Sequence, residues 1–375
     1  MKKYMNVKNY PFRIQIKYAL LLIILIKLAL TNVSSQIITS KCLLPASLNE
    51  SSGMTTINSA NTFWLHNDSG AKNELIEVDS NCQYLRTLVI SNAQNIDWEG
   101  ITADRLGNLY IGDFGNNSNS RTDLAIYIIE NMSTHTLDTI TAKKIQFNYA
   151  NQRQFPPSDA LRNFDAEAFF WYNDSLHIFT KNRTIPFTGY TYQYKIPAKE
   201  GSYAVFPSDS VITGTGNMNL NWVTDAAISP LQNKMILLSY DKAFIFYDFP
   251  ESQFFKGKRK DILFSHLSQK EGICFGTEHE LWISEEGGIQ GSAPANLYQF
   301  SISNIFTDIT HFNSNNNIKK QYVLLSKEEL KLYLEKEKFD VISNLLGQKI
   351  IAGEPFSCGI YIARKGKYIY YLTCY

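Results

Sequence analysis

The chain has 375 residues, with 36 Lys and Arg against 35 Asp and Glu, for a formal net charge of +1. That balance gives no global bias toward a polyanion or an anionic membrane surface, and nucleic acid is not expected as a partner. Six scattered histidines and five cysteines without ligand spacing give no pattern for a zinc site, and the 13% aromatic content fits a β-rich fold.

In chain order, residues 1–17 carry Lys2, Lys3, Lys8, Arg13 and Lys17 and no acid, and residues 18–30 are apolar except for Lys27. This is a positive n-region followed by a core too short to span a membrane comfortably. Residues 1–35 therefore read as a signal peptide, with cleavage near Ser35/Gln36, and predict a secreted or cell-surface protein. About 340 residues remain, enough for one large domain and a small appendage.

A pattern then recurs. An acidic or small polar cluster leads into Gly or Ala and an apolar residue, and a loop, a β-run and a second polar cluster follow. The first unit reads Asn49-Glu50-Ser51-Ser52-Gly53-Met54, then His66-Asn67-Asp68-Ser69-Gly70. The second is Asp97-Trp98-Glu99-Gly100-Ile101 with Gly112-Asp113-Phe114-Gly115-Asn116-Asn117, and the third is Asp165-Ala166-Glu167-Ala168-Phe169 with Thr180-Lys181-Asn182-Arg183. The fourth is Thr224-Asp225-Ala226-Ala227-Ile228 with Ser239-Tyr240-Asp241, and the fifth is Gln269-Lys270-Glu271-Gly272-Ile273 with Ser284-Glu285-Glu286. Counted on the Gly or Ala, the period is 45 to 68 residues. Two more β-runs complete most units, Leu124 to Ile129 and Lys144 to Tyr149 in the second, Tyr203 to Thr213 as the last of the third. Strand-rich repeats of this length predict an all-β fold, a five-bladed β-propeller over 36–310. Six blades is the alternative if the insertion around 150–163 hides a strand pair. The unpaired run Ile37 to Leu44 predicts the strand that closes the ring on blade five, hiding an edge.

On a radial fold, equivalent positions converge. Asp97, Glu99, Asp113, Asp165, Glu167, Asp225 and Glu271 are the expected metal ligands, because gathered carboxylates repel unless a cation neutralises them. Hard oxygen donors in that number favour Ca²⁺, with Mg²⁺ second. Asn67, Asp68, Asn116, Asn117, Arg121, Lys181, Arg183, Tyr240 and Glu285 form the expected ligand-binding rim. Acids mixed with Arg and Lys suit an anionic ligand such as a phosphate ester. The same residues also make ordinary turns, and only their repetition in register raises them above that. Cys358 with Cys374 and Cys42 with Cys82 are pairings compatible with an oxidising compartment, while Cys274, on an inner strand, reads as a buried free thiol.

The motifs at 66–70, 97–101 and 112–117, followed by Arg121, resemble those of secreted bacterial propellers grouped with the phytase esterase-like and SdiA-regulated families. The resemblance covers about residues 45–300 and implies a calcium-binding propeller with phosphoesterase chemistry as an option. The fourth unit departs from it, with Ala226 where others carry Glu99, Glu167 and Glu271. After a linker at 311–318, residues 319–375 contain Asn344-Leu345-Leu346-Gly347-Gln348-Lys349 and Gly359-Ile360-Tyr361. These are similar to the sorting domain of the Bacteroidetes type IX secretion system, a small β-sandwich, and imply that the secretion machinery is a partner; the usual opening Pro-Asn-Pro is absent. A short helix over 327–338 is the alternative for its Lys/Glu-rich stretch.

The leading expectation is a secreted calcium-binding propeller that acts as a binding or scaffold protein toward a phosphate ester, a surface glycan or a protein. A metal-dependent phosphoesterase at the same mouth is the alternative, and a lactonase-like hydrolase is third. No nucleophile or general acid stands out in the sequence.

Overall fold

The computed structural model describes residues 38–57, 61–288, 293–306, 319–325, 341–344, 359–365 and 368–374. The predicted leader at 1–35, the linker at 311–318, the stretch at 327–338 and Cys358 lie outside the described residues. Among the described residues, no helix is long and apolar enough to cross a membrane.

The chain divides into two compact units, one ending at Ile302 and one spanning Ser303–Tyr375. The first contains β1 (Ser40–Leu43) and then blade one, β2 (Ser51–Thr55), β3 (Thr62–Asn67), β4 (Glu74–Asp79) and β5 (Tyr84–Ile90). Blade two is β6 (Trp98–Ala103), β7 (Leu109–Asp113), β8 (Ala125–Ile129) and, after the short β9 (Thr139–Ile140), β10 (Lys143–Tyr149). Blade three is β11 (Ala166–Tyr172), β12 (Ser175–Thr180), β13 (Tyr190–Pro197) and, after β14 (Gly201–Val205), β15 (Pro207–Ile212). Blade four is β16 (Asp225–Ile228), β17 (Lys234–Leu238), β18 (Lys242–Tyr247) and β19 (Lys258–Leu263). Blade five is β20 (Lys270–Thr277), β21 (Glu280–Glu285) and β22 (Asn296–Ser301).

Each blade is an antiparallel meander, because hairpin-joined strands pair with their sequence neighbours. Blade five takes its outer strand from the N-terminal side: β1 pairs antiparallel with β22, Ser40 opposite Tyr298. The predicted closure and five-bladed count both hold, and 150–163 contributes a single 3₁₀ turn, Asp159–Leu161, and no strand.

The third unit differs from its sequence reading. The run predicted as one strand, Tyr203 to Thr213, is divided. β14 leaves its own blade and pairs parallel with β10, Ile145 opposite Gly201, while β15 completes blade three. β9 likewise pairs parallel with β5. Both additions cover outer edges whose N–H and C=O groups would otherwise stand unpaired.

The second strand of a blade lies between two others, packs on both faces and reads as a nearly continuous apolar run. β7, β12 and β17 are buried throughout. Outer β10 alternates, with Ile145, Phe147 and Tyr149 inward and polar residues between them. The core lies between blades. Trp64, Leu88, Trp98 and Tyr127 fill the seam of blades one and two, and Phe114, Phe147, Phe169 and Tyr194 that of blades two and three. Phe170, Phe179, Phe244 and Phe254 fill the seam of blades three and four. Inner strands approach so closely that a Cβ at Gly53 would lie 2.5 Å from the Glu99 carbonyl oxygen. This is the physical reason for the small residue in the repeat.

In the second unit, β23 (Lys319–Leu325), β24 (Val341–Asn344), β25 (Gly359–Lys365) and β26 (Tyr368–Cys374) form one four-stranded sheet in the order β23-β26-β25-β24. β23 and β26 run parallel and the other pairs antiparallel.

Candidate functional site: the acidic channel mouth

The five inner strands β2, β6, β11, β16 and β20 ring the axis, each beside its neighbours. The residue just before the repeat's Gly or Ala is Ser52, Glu99, Glu167, Ala226 or Glu271. All five are buried.

The predicted acids meet different fates. One carboxyl oxygen from each of Asp68, Asp97 and Glu99 lies within 4.8 Å of the other two. Ser52 Oγ donates to Glu99 Oε2 at 3.2 Å. Gly115 makes room for the group: a Cβ there would be 2.3 Å from Glu99 Oε1 and 2.5 Å from Asp97 Oδ2. Asp68, read from the sequence as a rim residue, thus stands with Asp97 and Glu99.

The other acids have partners of their own. Asp113 accepts from Arg121 Nη2 at 3.0 Å and from the Asp97 amide at 3.2 Å. Asp165 accepts from Arg183 Nε at 2.5 Å and from the Asn116 amide at 2.7 Å. Glu167 takes a hydrogen bond from Lys181 Nζ and lies 3.6 Å from Arg183 Nη2. Its Oε2 is buried without a hydrogen-bond partner among the described residues. Glu271 accepts from the Tyr240 hydroxyl at 3.0 Å. Asp225 accepts from the amides of Ile273 (2.7 Å) and Ala226 (2.8 Å). It stands two residues before Ala227, whereas Asp97 and Asp165 stand three before their Gly or Ala. It therefore matches Trp98 and is not the equivalent of Asp97.

The cations are equally engaged. Arg121 bonds Asp113, Asp123 and the Gly115 carbonyl. Arg183 reaches Asp165, Glu167 and the Asn117 amide oxygen. Trp222, which no repeat motif flags, lies 4.7 Å from the Arg183 guanidinium and 5.1 Å from the Lys181 ammonium, and Tyr240 lies 5.7 Å from the latter. Asn67 and Asn116 are loop staples: Asn67 bonds Ser47 and Glu50, and Asn116 bonds Phe164, Ser120 and Arg121. Glu285 accepts from Ser268 and Asn296. Ser52 was legible once the units were aligned on Gly53.

The electrostatics follow. Burial, then Asp68 and Asp165, push the Asp97 carboxyl up to about 6. Burial raises Asp68 as well. Burial, then Glu167, Asp68 and Asp97, hold Glu99 well above the carboxylate range. Burial alone would lower Lys181, but Glu167 and Glu271 hold it firmly protonated. Glu286 is pushed up to about 8 by burial, with Glu271 and Asp68 adding to it. With Arg121 bonded to Asp113 and Asp123, and with Lys181 and Arg183 bonded to Glu167 and Asp165, the Asp68–Asp97–Glu99 group is a surplus of acids with no ion pair of its own among the described residues. Lys181 and Arg121 act on it only through space, and crowding raises its affinity for protons.

No family model matches the chain, and none of the curated proteins does. Among solved structures, the PQQ-bound aldose sugar dehydrogenase of Streptomyces coelicolor is similar at a TM-score of 0.41 and 9% identity, over 70% of this chain and 97% of that one. The WD40 repeats of RRP9 are similar at a TM-score of 0.36 and 8% identity, over 67% of each chain.

Proposed function

We propose that the protein is an exported binding or scaffold propeller that holds one divalent cation, Ca²⁺ before Mg²⁺, between Asp68, Asp97 and Glu99. The reading rests on one observation: three carboxyl groups converge within 4.8 Å, and no Lys or Arg bonds any of them among the described residues. A hard cation answers that surplus. Three carboxylates supply fewer oxygens than the roughly six to eight that Ca²⁺ takes, which leaves positions open to a ligand at the mouth. Export is inferred from the sequence of residues 1–35 and agrees with the Cys42–Cys82 disulfide, since such bonds persist in oxidising compartments. The likeness to a type IX sorting domain extends the proposal to secretion-machinery recognition of residues 319–375.

The phosphoesterase alternative has weaker support. A phosphate clamp needs cations with free donors, and Arg121, Lys181 and Arg183 are each committed to acids. Calorimetric titration of the full chain with CaCl₂ tests the main reading. It expects one saturable site that is lost in Asp97→Asn; no heat of binding and no response of the melting temperature to EDTA would overturn it.

A further inference from the structure

Beside the mouth, among the loops of blades four and five, lies a cavity of about 730 Å³ that the acids do not account for. We infer that it is a binding site for a neutral saccharide unit. The inference rests on the proposed function only in taking this face as the ligand-binding face; it does not need the cation.

The lining sets the ligand class. Trp222 and Tyr240 supply aromatic surface, and Leu267, 61% exposed, supplies an aliphatic wall. Asn219, Gln269 and Glu286 bring amide and carboxyl groups to the same space. No Lys or Arg lines the cavity among the described residues. Lys181 and Arg183 stand behind Trp222 and Tyr240 and are paired with Glu167 and Asp165, so neither is free to pair with an anion in the cavity. Glu285, its second acid, has both carboxyl oxygens bonded, by Ser268 and Asn296. Glu286 accepts from Gln269 at 2.6 Å and keeps its proton to about pH 8, so it carries little charge for a cation to seek. A site with neutral hydrogen-bonding groups around aromatic faces matches a ring with C–H faces and a hydroxyl edge. The volume falls within the roughly 300–1,000 Å³ of small-molecule sites. The Trp222 indole is held in place, since its Nε1–H donates to the Asn182 carbonyl at 2.7 Å. A fixed platform loses little freedom on binding.

The test titrates the full chain with a panel of neutral mono- and disaccharides, read by saturation-transfer NMR and calorimetry, in CaCl₂ and again in EDTA. At least one saccharide should bind in both buffers. Trp222→Ala should raise its Kd about tenfold, the loss of one stacking contact. Asn219→Ala, at an exposed position, should raise it about threefold or more and keeps the test valid if the Trp222 variant loosens the fold. Absence of binding by every saccharide would overturn the inference, as would affinities unchanged in both variants. Binding that vanishes in EDTA would also overturn it, by assigning the sugar to the cation. Failure of the cation reading would instead show as a missing Ca²⁺ response with saccharide binding intact.

Discussion

Cys42, on the strand that closes the ring, is disulfide-bonded to Cys82 in the β4–β5 turn of blade one. The bond joins the last-completed blade to the first across the seam where Leu44, Phe63, Val78 and Trp282 pack. β1 is only four residues long, so its pairing with β22 alone is a weak latch, and the covalent bond holds it. With the cysteines 40 residues apart, chain-entropy arguments give about 4 kcal/mol of stabilisation. Cys42→Ser should lower the denaturation midpoint by a corresponding amount in urea titrations, and a reductant should do the same to the parent protein. Equal midpoints with and without the bond would show that β1 pairing suffices by itself.

Much of this architecture was legible in the chain because it repeats. A small residue is needed wherever inner strands nearly touch, so Gly53, Gly100, Ala168, Ala227 and Gly272 mark the five blades. The run before the first unit had no partner except the last. The exchange of β14 was not legible: alternation fixes which face a residue takes, not which sheet edge its strand joins, and Gly201–Val205 fits either. At the site, the acids were visible but their partners were not. Asp165 and Arg183 are 18 residues apart, and nothing local says that one neutralises the other. Asp225 misled because it is acidic yet one position out of register, and Trp222 lies in a loop that carries no repeat signal.

Asp97→Asn should stabilise the metal-free protein. The carboxylate is held against burial and two acidic neighbours, which push its pKa from 3.8 up to about 6. The amide removes that charge while keeping the shape. Allowing for its partial exposure, the gain at neutral pH is about 1–2 kcal/mol. Thermal melts in EDTA should show a higher midpoint for the variant, and melts in Ca²⁺ should show it no longer responding to the ion. A lower midpoint in EDTA would mean that Asp97 holds the loop at 112–117 by means other than its charge.

The pH dependence of stability has opposing parts. Asp97 and Glu286 have raised values, about 6 and about 8, so the folded chain keeps protons that the unfolded chain has released. Their contribution therefore falls as pH rises, through about 4 to 6 for Asp97 and 4.5 to 8 for Glu286. His66 and His177 are buried neutral, lowered by burial to about 4 and about 3. The unfolded chain gains protons there first, so stability falls as pH drops below about 6.5. In EDTA the melting temperature should peak on the acid side of neutrality and decline toward pH 8. Ca²⁺ should remove the part of that decline that belongs to Asp97 and leave the part that belongs to Glu286, and its affinity should weaken below about pH 6 as Asp97 takes a proton. A flat profile in EDTA from pH 5 to 8 would contradict the charge surplus at the mouth.

Lys181 tests whether the buried charges stabilise the fold or only specify it. Its ammonium is almost wholly buried and shared between Glu167, by ion pair, and the rings of Trp222 and Tyr240. Lys181→Met keeps the aliphatic stem but leaves Glu167 only the longer Arg183 contact at 3.6 Å, with Oε2 without a hydrogen-bond partner among the described residues. Breaking a buried pair from one side costs about 3–5 kcal/mol. Glu167→Gln should cost less, because Glu271 still faces the ammonium. The double variant Lys181→Met/Glu167→Gln should recover most of the single Lys181→Met loss, since the uncompensated carboxylate is gone. A double-mutant cycle from urea denaturation gives the coupling directly. Additive losses would mean that the two residues do not act as a pair, and that the mouth is held by Arg183 and Asp165 instead.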